Sequence, residues 1–324
     1  MLVALLFFAA CFVAFTNGAN ANFKGVASLY GSGTTSLRVA LWWGTATTFA
    51  GALAALFFAH GLLKTFSGKA LVADALTQSP DFLLAVASGG ALTSFLATRL
   101  SFPVSTTHAL TGALVGAGLA SGDHTVHLGA LGKTFVQPLL LSPVLAIGAG
   151  AVIHSLLKVV RLLPDHRTRT LDALHFFSGG AASFARGLND TPKMAALLLV
   201  AHAIDIRWNI LAIAVATALG GLLDARNVAE TLGRKITGMS PGEGFAANVA
   251  TALLVSTASF HSLPVSTTHV SVGSLVGIGI VTRKAKWPSV GQIFLSWIIT
   301  LPCGAVLAAL VALGFGYFRG EPTP

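Results

Sequence analysis

Seven apolar stretches dominate the chain and limit the folds open to it. A helix needs about 20 apolar residues to cross the roughly 30 Å hydrocarbon core of a bilayer, and the longer stretches have room for two passes. Of the 324 residues, 54% are hydrophobic and only 10% are charged, against roughly a quarter charged in soluble domains. We therefore expect an all-α polytopic membrane protein with about ten or more transmembrane segments. The stretches lie near residues 2–16, 40–63, 82–98, 134–157, 194–223, 244–260 and 287–318.

The formal net charge of +9 would suggest a nucleic-acid partner in a soluble protein. Here many lysines and arginines lie in short loops, such as those at residues 158–169 and 226–235. Cytoplasmic loops of membrane proteins carry such an excess. We therefore expect a lipid bilayer, and no nucleic acid, to surround or contact this chain.

The first twenty residues have an apolar run followed by Ala19-Asn20-Ala21, which resembles a signal-peptide cleavage site. Signal peptides also carry a basic residue near the start. None stands near Met1, so we expect this segment to be retained as a helix.

The hexapeptide PVSTTH occurs at Pro103–His108 and again at Pro264–His269, 161 residues later. A second pair of segments, AFTNGANANFKG from Ala14 and SFARGLNDTPKM from Ser183, aligns without a gap at an offset of 169. Self-similarity at a nearly fixed spacing indicates duplicated units. The sequence predicts a first transmembrane repeat at 1–157, a polar connector at 158–175 and a second transmembrane repeat at 176–324.

Paired halves with Gly- or Pro-interrupted apolar segments are typical of secondary transporters, whose substrate site lies near the bilayer midplane. We expect the repeats to be inverted and to contain broken or re-entrant helices. The inversion depends on the number of spans in each half, which the sequence does not fix.

The PVSTTH motifs have the chemistry of a helix start. Proline lacks a backbone N–H and favours either a helix break or the first turn of a new helix. At a helix start, free N–H groups and a positive dipole end favour anions. Two such starts facing each other would form a neutral, donor-rich site for a tetrahedral oxyanion. The predicted substrate-binding residues are Ser105, Thr106, Thr107, Ser266, Thr267 and Thr268.

Simpler roles are open for the same residues. A single Ser/Thr-rich segment often only hydrogen-bonds across helix interfaces, but its exact duplication with proline in register favours binding. His108 and His269 are structural groups or proton-linked sites, because imidazole titrates near neutral pH. Ser105 and His108 also have the spacing of a nucleophile and base, yet no third orienting residue is evident, so we expect no enzyme.

The other repeated segment places charge at membrane depth, where ionisable groups are costly and indicate function. In the second half, Arg186 precedes Asp190 and Lys193. Lys24 and Lys193 could instead extend along apolar surface to place their charge at the membrane interface. Asparagine and aspartate oxygens suit a hard cation, whereas lysine supplies a fixed ammonium group. The candidates for cation coupling or charge substitution are Asn20, Lys24, Asn189, Asp190 and Lys193.

These two motif pairs resemble the inorganic phosphate transporter (PiT) family, whose signature is similar to G-A-N-D-x-A-N in each half followed by P-x-S-T-T-H. The resemblance spans both halves. It implies an all-helical inverted repeat, commonly a homodimer, that moves inorganic phosphate with sodium or protons across the cytoplasmic membrane. It implies no cofactor and no resident metal.

The departures from that signature concern the coupling ion. Ala21 stands where the family has aspartate, and Lys24 and Lys193 stand where it has the second asparagine. We expect these lysines to replace the coupling sodium ions, so that H+ rather than Na+ accompanies phosphate. Sodium-coupled phosphate symport is one alternative. Another is transport of sulfate, since the missing aspartate is also a feature similar to sulfate permeases of the same superfamily.

Overall fold

The structure is a computed structural model that describes residues 1–121, 126–163, 166–200 and 205–319. Within these ranges the chain is built from helices and their connections, with one isolated β-bridge between Thr237 and Ala285. This agrees with the all-α architecture expected for a chain that must satisfy its backbone hydrogen bonds inside a bilayer.

The described residues of the first part of the chain form nine α-helices, several of them very short. A π-helical turn at Leu131–Val136 runs directly into the last of them, which also contains Pro143. The helices are α1 (Leu2–Ala21), α2 (Ala27–Gly31), α3 (Leu37–Phe58), α4 (His60–Thr65), α5 (Asp74–Thr77), α6 (Pro80–Arg99), α7 (Thr106–Ala120), α8 (Leu128–Ala130) and α9 (Gln137–Val159).

The rest of the chain repeats the order of the longer helices. Its first helix ends in a 3-10 turn at Ala196–Leu198, and its last contains Pro302. The helices described here are α10 (Arg169–Ala195), α11 (Ile206–Leu223), α12 (Arg226–Arg234), α13 (Pro241–Phe260), α14 (Thr267–Val281) and α15 (Trp287–Arg319).

Helix packing is reciprocal between the two parts. Helix α1 packs on α11 while α10 packs on α3, and α7 packs on α15 while α14 packs on α9. Helices α6 and α13 lie against α1 and α10 respectively. Extensive contacts thus lie both within each part and between the two parts, and the most extensive one, between α7 and α15, crosses from one part to the other.

Glycine allows the closest of these approaches. A methyl group added to Gly18 would overlap the backbone carbonyl of Thr217, and one added to Gly187 would overlap the carbonyl of Thr48. Gly18 and Gly187 occupy equivalent positions in the aligned segments. The α1–α11 and α10–α3 contacts therefore use the same device, a missing side chain that lets two helix backbones touch.

Six helical segments in the described ranges are long and apolar enough to span a membrane, so the estimate of ten or more is not confirmed by length and composition. The 27-residue α10 is not among these six and carries three buried charged residues, Arg186, Asp190 and Lys193. Helices α7 and α14 have only 15 residues each. The six are Leu2–Ala21, Leu37–Phe58, Pro80–Arg99, Leu128–Val159, Ile206–Leu223 and Trp287–Phe315.

The polar stretch predicted as a connector at 158–175 is only partly a loop. Helix α9 continues through Val159, and α10 begins at Arg169, where the Thr168 hydroxyl accepts a hydrogen bond from the Leu171 backbone N–H at 3.1 Å. The cap lets a polar sequence start a helix well before its buried segment. The connection itself is therefore shorter than its composition indicates.

Two apolar cores flank the region between α7 and α14. One includes Leu110 and Leu114 of α7, and the other includes Val272 and Leu275 of α14. Each motif helix is thus anchored in its own core, and the starts of both helices meet in a polar region between them.

Candidate functional site

Both PVSTTH motifs form a helix start, as their composition predicts. The Ser105 hydroxyl accepts a hydrogen bond from the His108 backbone N–H at 3.2 Å, and the Ser266 hydroxyl accepts one from the His269 N–H at 3.2 Å. These serines are the N-caps of α7 and α14. Each hydroxyl therefore satisfies one of the free N–H groups that every helix start presents.

The six predicted substrate-binding residues all lie inside the protein. Their exposed fractions are between 1% and 5%. In this conformation the two serine hydroxyls cap their own helices, and the threonine hydroxyls bond valine carbonyls or buried polar side chains. The residues are Ser105, Thr106, Thr107, Ser266, Thr267 and Thr268.

The Nζ atom of Lys193 donates hydrogen bonds to three oxygen atoms. Its Nζ lies 2.9 Å from each of three acceptors: the Thr107 hydroxyl, the Val265 carbonyl and Asp190 Oδ1. The Thr107 hydroxyl donates in turn to the Val265 carbonyl at 3.1 Å. Lys193 belongs to α10 and Thr107 to α7, so this ammonium joins the two parts of the chain.

Lys24 forms the matching arrangement from the other side. Its Nζ donates to the Thr268 hydroxyl, to the Val104 carbonyl at 2.7 Å and to Asn20 Oδ1 at 3.4 Å. The Thr268 hydroxyl donates to the same Val104 carbonyl at 2.7 Å. Each lysine thus donates to the valine carbonyl of one motif and to a threonine hydroxyl of the other.

Asp190 is the acidic centre of the site and breaks this symmetry, because its aligned partner is Ala21. Its Oδ1 pairs with Lys193 at 2.9 Å. Its Oδ2 accepts from the Thr267 hydroxyl at 3.1 Å and from Asn17 Nδ2 at 3.4 Å. A predicted coupling residue is therefore in direct contact with a predicted substrate residue.

Arg186 is a third buried cation at the same site. Its Nε lies 3.6 Å from Asp190 Oδ2, and its guanidinium also donates to Asn17 Oδ1, to Asn22 Oδ1 at 3.2 Å and to the Thr48 hydroxyl at 3.3 Å. Asn17 Nδ2 reaches the Thr106 hydroxyl at 2.8 Å. Asn17 and Thr48 were not among the sequence candidates, although the gapless alignment places Asn17 opposite Arg186.

The predicted coupling residues Asn20 and Asn189 each stand four residues before a site lysine, Lys24 or Lys193. Asn20 accepts from the Val104 backbone N–H at 2.9 Å and donates to the Thr98 hydroxyl at 3.0 Å. Asn189 donates to the Ser259 hydroxyl at 2.8 Å. Ser259 follows Thr98 by the 161-residue offset of the motifs. Both asparagines thus tie their own helix to the end of the helix that precedes PVSTTH.

His108 and His269 meet at the junction of the motif helices. Their ring centroids are 4.7 Å apart, and the indole of Trp297 lies 4.0 Å from the His269 ring. His269 Nδ1 is 3.0 Å from the Leu139 carbonyl, whereas His108 Nδ1 and His269 Nε2 have no hydrogen-bond partner among the described residues. Both rings line an apolar cavity of about 430 Å³ between α9 and α15. Their role in proton movement stays a prediction.

The described residues contain no cluster of three or more His, Cys, Asp and Glu side chains that could hold a metal ion. The oxygen atoms that could have served a hard cation instead face the two lysine ammonium groups.

Comparisons with known proteins agree with the class of protein that this site suggests. The Phosphate transporter family model matches residues 17–171 and 163–308. A "Probable low-affinity inorganic phosphate transporter" of Rhizobium meliloti (strain 1021) is 30% identical over 319 residues, which cover 93% of this chain and 92% of that protein. A protein of the same name from Bacillus subtilis (strain 168) is 27% identical and covers 77% of this chain and 79% of its own length.

A solved structure named "The sodium-dependent phosphate transporter" superimposes with a TM-score of 0.87 over 98% of this chain and 99% of that one, at 20% identity. The two proteins therefore share a fold. With the family model and the Rhizobium meliloti protein, the chain belongs to the phosphate transporter family. It is a multi-pass membrane protein of a transporter family, not of an enzyme family.

Proposed function

We propose that the chain is a secondary active transporter of inorganic phosphate, and that phosphate binds between the starts of α7 and α14. The observation that carries the proposal is the convergence of donors from both halves. Thr107 and Thr268 face Lys193 and Lys24 across the junction, within hydrogen-bond distance. Ammonium groups, hydroxyls and helix N-termini are the donors that a tetrahedral oxyanion accepts.

Protons, rather than sodium ions, accompany phosphate in this proposal. The support is the environment of the lysines: three oxygen atoms contact each Nζ, in the manner of ligands around a hard cation. A tethered ammonium in that place gives the charge of a coupling cation without needing one from solution. Asp190 contacts Lys193, so its carboxylate is the acidic group whose surroundings would change when phosphate binds.

Alternating access follows from the reciprocal packing. The site is buried on all sides here, and each lysine donates a hydrogen bond to a threonine of the opposite half. Rocking of one half against the other would separate Lys193 from Thr107 and Lys24 from Thr268 while leaving each motif helix in its own core. We keep the two-repeat organisation, the inverted topology, the cytoplasmic membrane and a homodimer as parts of this proposal.

The test is uptake of labelled phosphate into proteoliposomes that contain the purified protein. An inward proton gradient, an inward sodium gradient and no gradient are compared, each with and without excess sulfate. We expect the proton gradient to drive uptake in the absence of sodium, and excess sulfate to leave it largely unchanged.

Two results would overturn the proposal in different ways. Uptake that requires sodium and ignores the proton gradient would support the sodium-coupled alternative. Uptake abolished by sulfate, together with uptake of labelled sulfate, would assign the chain to sulfate transport.

A further inference from the structure

Both site lysines are charged, judged by their hydrogen bonds alone. The Thr107 hydroxyl gives its proton to the Val265 carbonyl, so its oxygen accepts from Lys193; the carbonyl and Asp190 Oδ1 also only accept. Lys193 thus donates three hydrogen bonds, which a neutral amine with two protons cannot do. The same count around Lys24, with the Thr268 proton given to the Val104 carbonyl, requires an ammonium there too.

Asp190 is ionised by the same reasoning. The Lys193 ammonium, the Thr267 hydroxyl and the Asn17 amide all donate to it, and a carboxylate accepts such bonds without offering a proton of its own. Arginine stays protonated in proteins. Among the described residues, the other buried acidic or basic side chain besides Lys24, Arg186, Asp190 and Lys193 is that of Glu243, leaving histidines aside. It pairs with Lys284 at 2.8 Å.

The site therefore holds three cations, Lys24, Lys193 and Arg186, and one carboxylate, Asp190. Two positive charges remain uncompensated in a region that excludes water, where unpaired charge is costly. A bound dianion would neutralise both of them, whereas a monoanion would leave one. His108 and His269, which contact each other in α7 and α14, add no charge while they are neutral.

We propose that the site selects the divalent form of phosphate, HPO4²⁻, and that Arg186 is the residue that sets this preference. The inference rests on the proposed function and names the ionic form of its substrate. Arg186 is linked to two of the predicted substrate-binding threonines through one intervening side chain each. Asn17 connects it to the Thr106 hydroxyl, and Asp190 connects it to the Thr267 hydroxyl. It is thus a positioning residue whose charge acts over a short distance in a poorly screened medium.

The aligned halves show why Arg186 is the informative position. The first half has Asn17 there, and each half supplies one lysine. Without the guanidinium, two ammonium groups and one carboxylate would leave a single positive charge, which suits a monoanion. Arg186→Asn thus gives the second half the residue that the first half already has.

The experiment measures binding to the purified protein in detergent by isothermal titration calorimetry across the second ionisation of phosphate. Dimethyl phosphate, a permanent monoanion, is titrated at the same pH values, because any pH dependence of its binding would come from titration of the protein itself. The variants are Arg186→Asn, Arg186→Lys, which keeps the charge, and Arg99→Asn, which removes a surface arginine paired with Asp224.

For the unmodified protein we expect the apparent Kd for total phosphate to fall as pH rises, and to be constant when expressed as HPO4²⁻. Arg186→Asn should weaken dianion binding by roughly 10- to 100-fold, as for a charge at short range in a medium of effective dielectric near 20, and remove the pH slope. Arg186→Lys should retain the slope, and Arg99→Asn should match the unmodified protein.

Constant affinity in terms of H2PO4⁻ would overturn the proposal, as would an unchanged pH slope in a folded Arg186→Asn protein. If Arg186→Asn does not fold, the slope of the unmodified protein and of Arg186→Lys still decides the ionic form. Absence of phosphate binding at any pH would instead overturn the proposed function itself.

Discussion

At the scale of single residues, the most informative feature is the pair of buried lysines, Lys24 and Lys193, at aligned positions of the two repeated segments. From the sequence, Lys24 and Lys193 were predicted to substitute for a coupling cation, and this role stays a prediction. Their oxygen neighbours could not be predicted, because the Val104 and Val265 carbonyls are 80 and 72 residues away along the chain. Asn17 was missed for a related reason: its contacts with Arg186, Asp190 and Thr106 are all distant in sequence.

The site serines also differ from expectation in their present contacts. Ser105 and Ser266 were predicted to bind substrate, and in this conformation their hydroxyls cap their own helices. The threonines that follow them make the contacts between halves. A sequence motif specifies the residues near a site, but the backbone decides which hydroxyls point across it.

Replacing one lysine tests whether it acts as a tethered cation. Lys193→Asn leaves Asp190 Oδ1, the Val265 carbonyl and the Thr107 hydroxyl around a vacated position, and losing one partner of a buried ion pair costs about 3–5 kcal/mol. We expect phosphate uptake by this variant to require sodium, which would bind among these oxygens. The measurement is labelled phosphate uptake with sodium or choline as the external cation.

Lys24→Asn is the matched control, because its position has no carboxylate: Ala21 stands where Asp190 stands in the other half. Its sodium dependence should be weaker than that of Lys193→Asn. Sodium-independent uptake at the original rate in Lys193→Asn would contradict the tethered-cation account.

At the scale of helices, the duplicated motif and its proline correctly placed two helix starts, at Thr106 and Thr267. The estimate of ten or more spans is not confirmed by helix length and composition. Helix α10 is long but carries Arg186, Asp190 and Lys193, and the motif helices are short. Of the helices that form the site, α10 is thus atypical of membrane helices in its composition, and α7 and α14 are atypical in their length.

Helix α7 depends on glycine for its contact with α15. A methyl group at Gly116 would overlap the Ala305 backbone, so Gly116→Ala should force the helices apart and destabilise the fold by about 1–3 kcal/mol. Gly148 in α9 faces open space. We expect Gly148→Ala to be neutral or stabilising by up to about 1 kcal/mol.

The comparison is made by thermal unfolding of both purified variants in detergent. The Gly116→Ala midpoint should fall below that of the unmodified protein, and the Gly148→Ala midpoint should not. Equal midpoints for the two variants would show that the α7–α15 approach is looser than described.

At the scale of the whole molecule, two sequence segments with nearly the same offset are brought to a single site. Duplication made it reasonable to expect that both halves contribute. The reciprocal pattern, in which each lysine bonds the other half's threonine, required the fold, because the sequence does not say which helices cross. It makes the binding site inseparable from the interface that must open during transport.

The most direct test follows lumenal pH while phosphate enters sodium-free proteoliposomes. The pH is equal on both sides and in the range where HPO4²⁻ predominates, and potassium with valinomycin clamps the membrane potential. The account predicts that the lumen becomes more acidic, because each dianion arrives with a proton that it partly releases. A lumen that becomes more alkaline, or phosphate entry only after sodium is added, would contradict proton-coupled transport through a site of tethered cations.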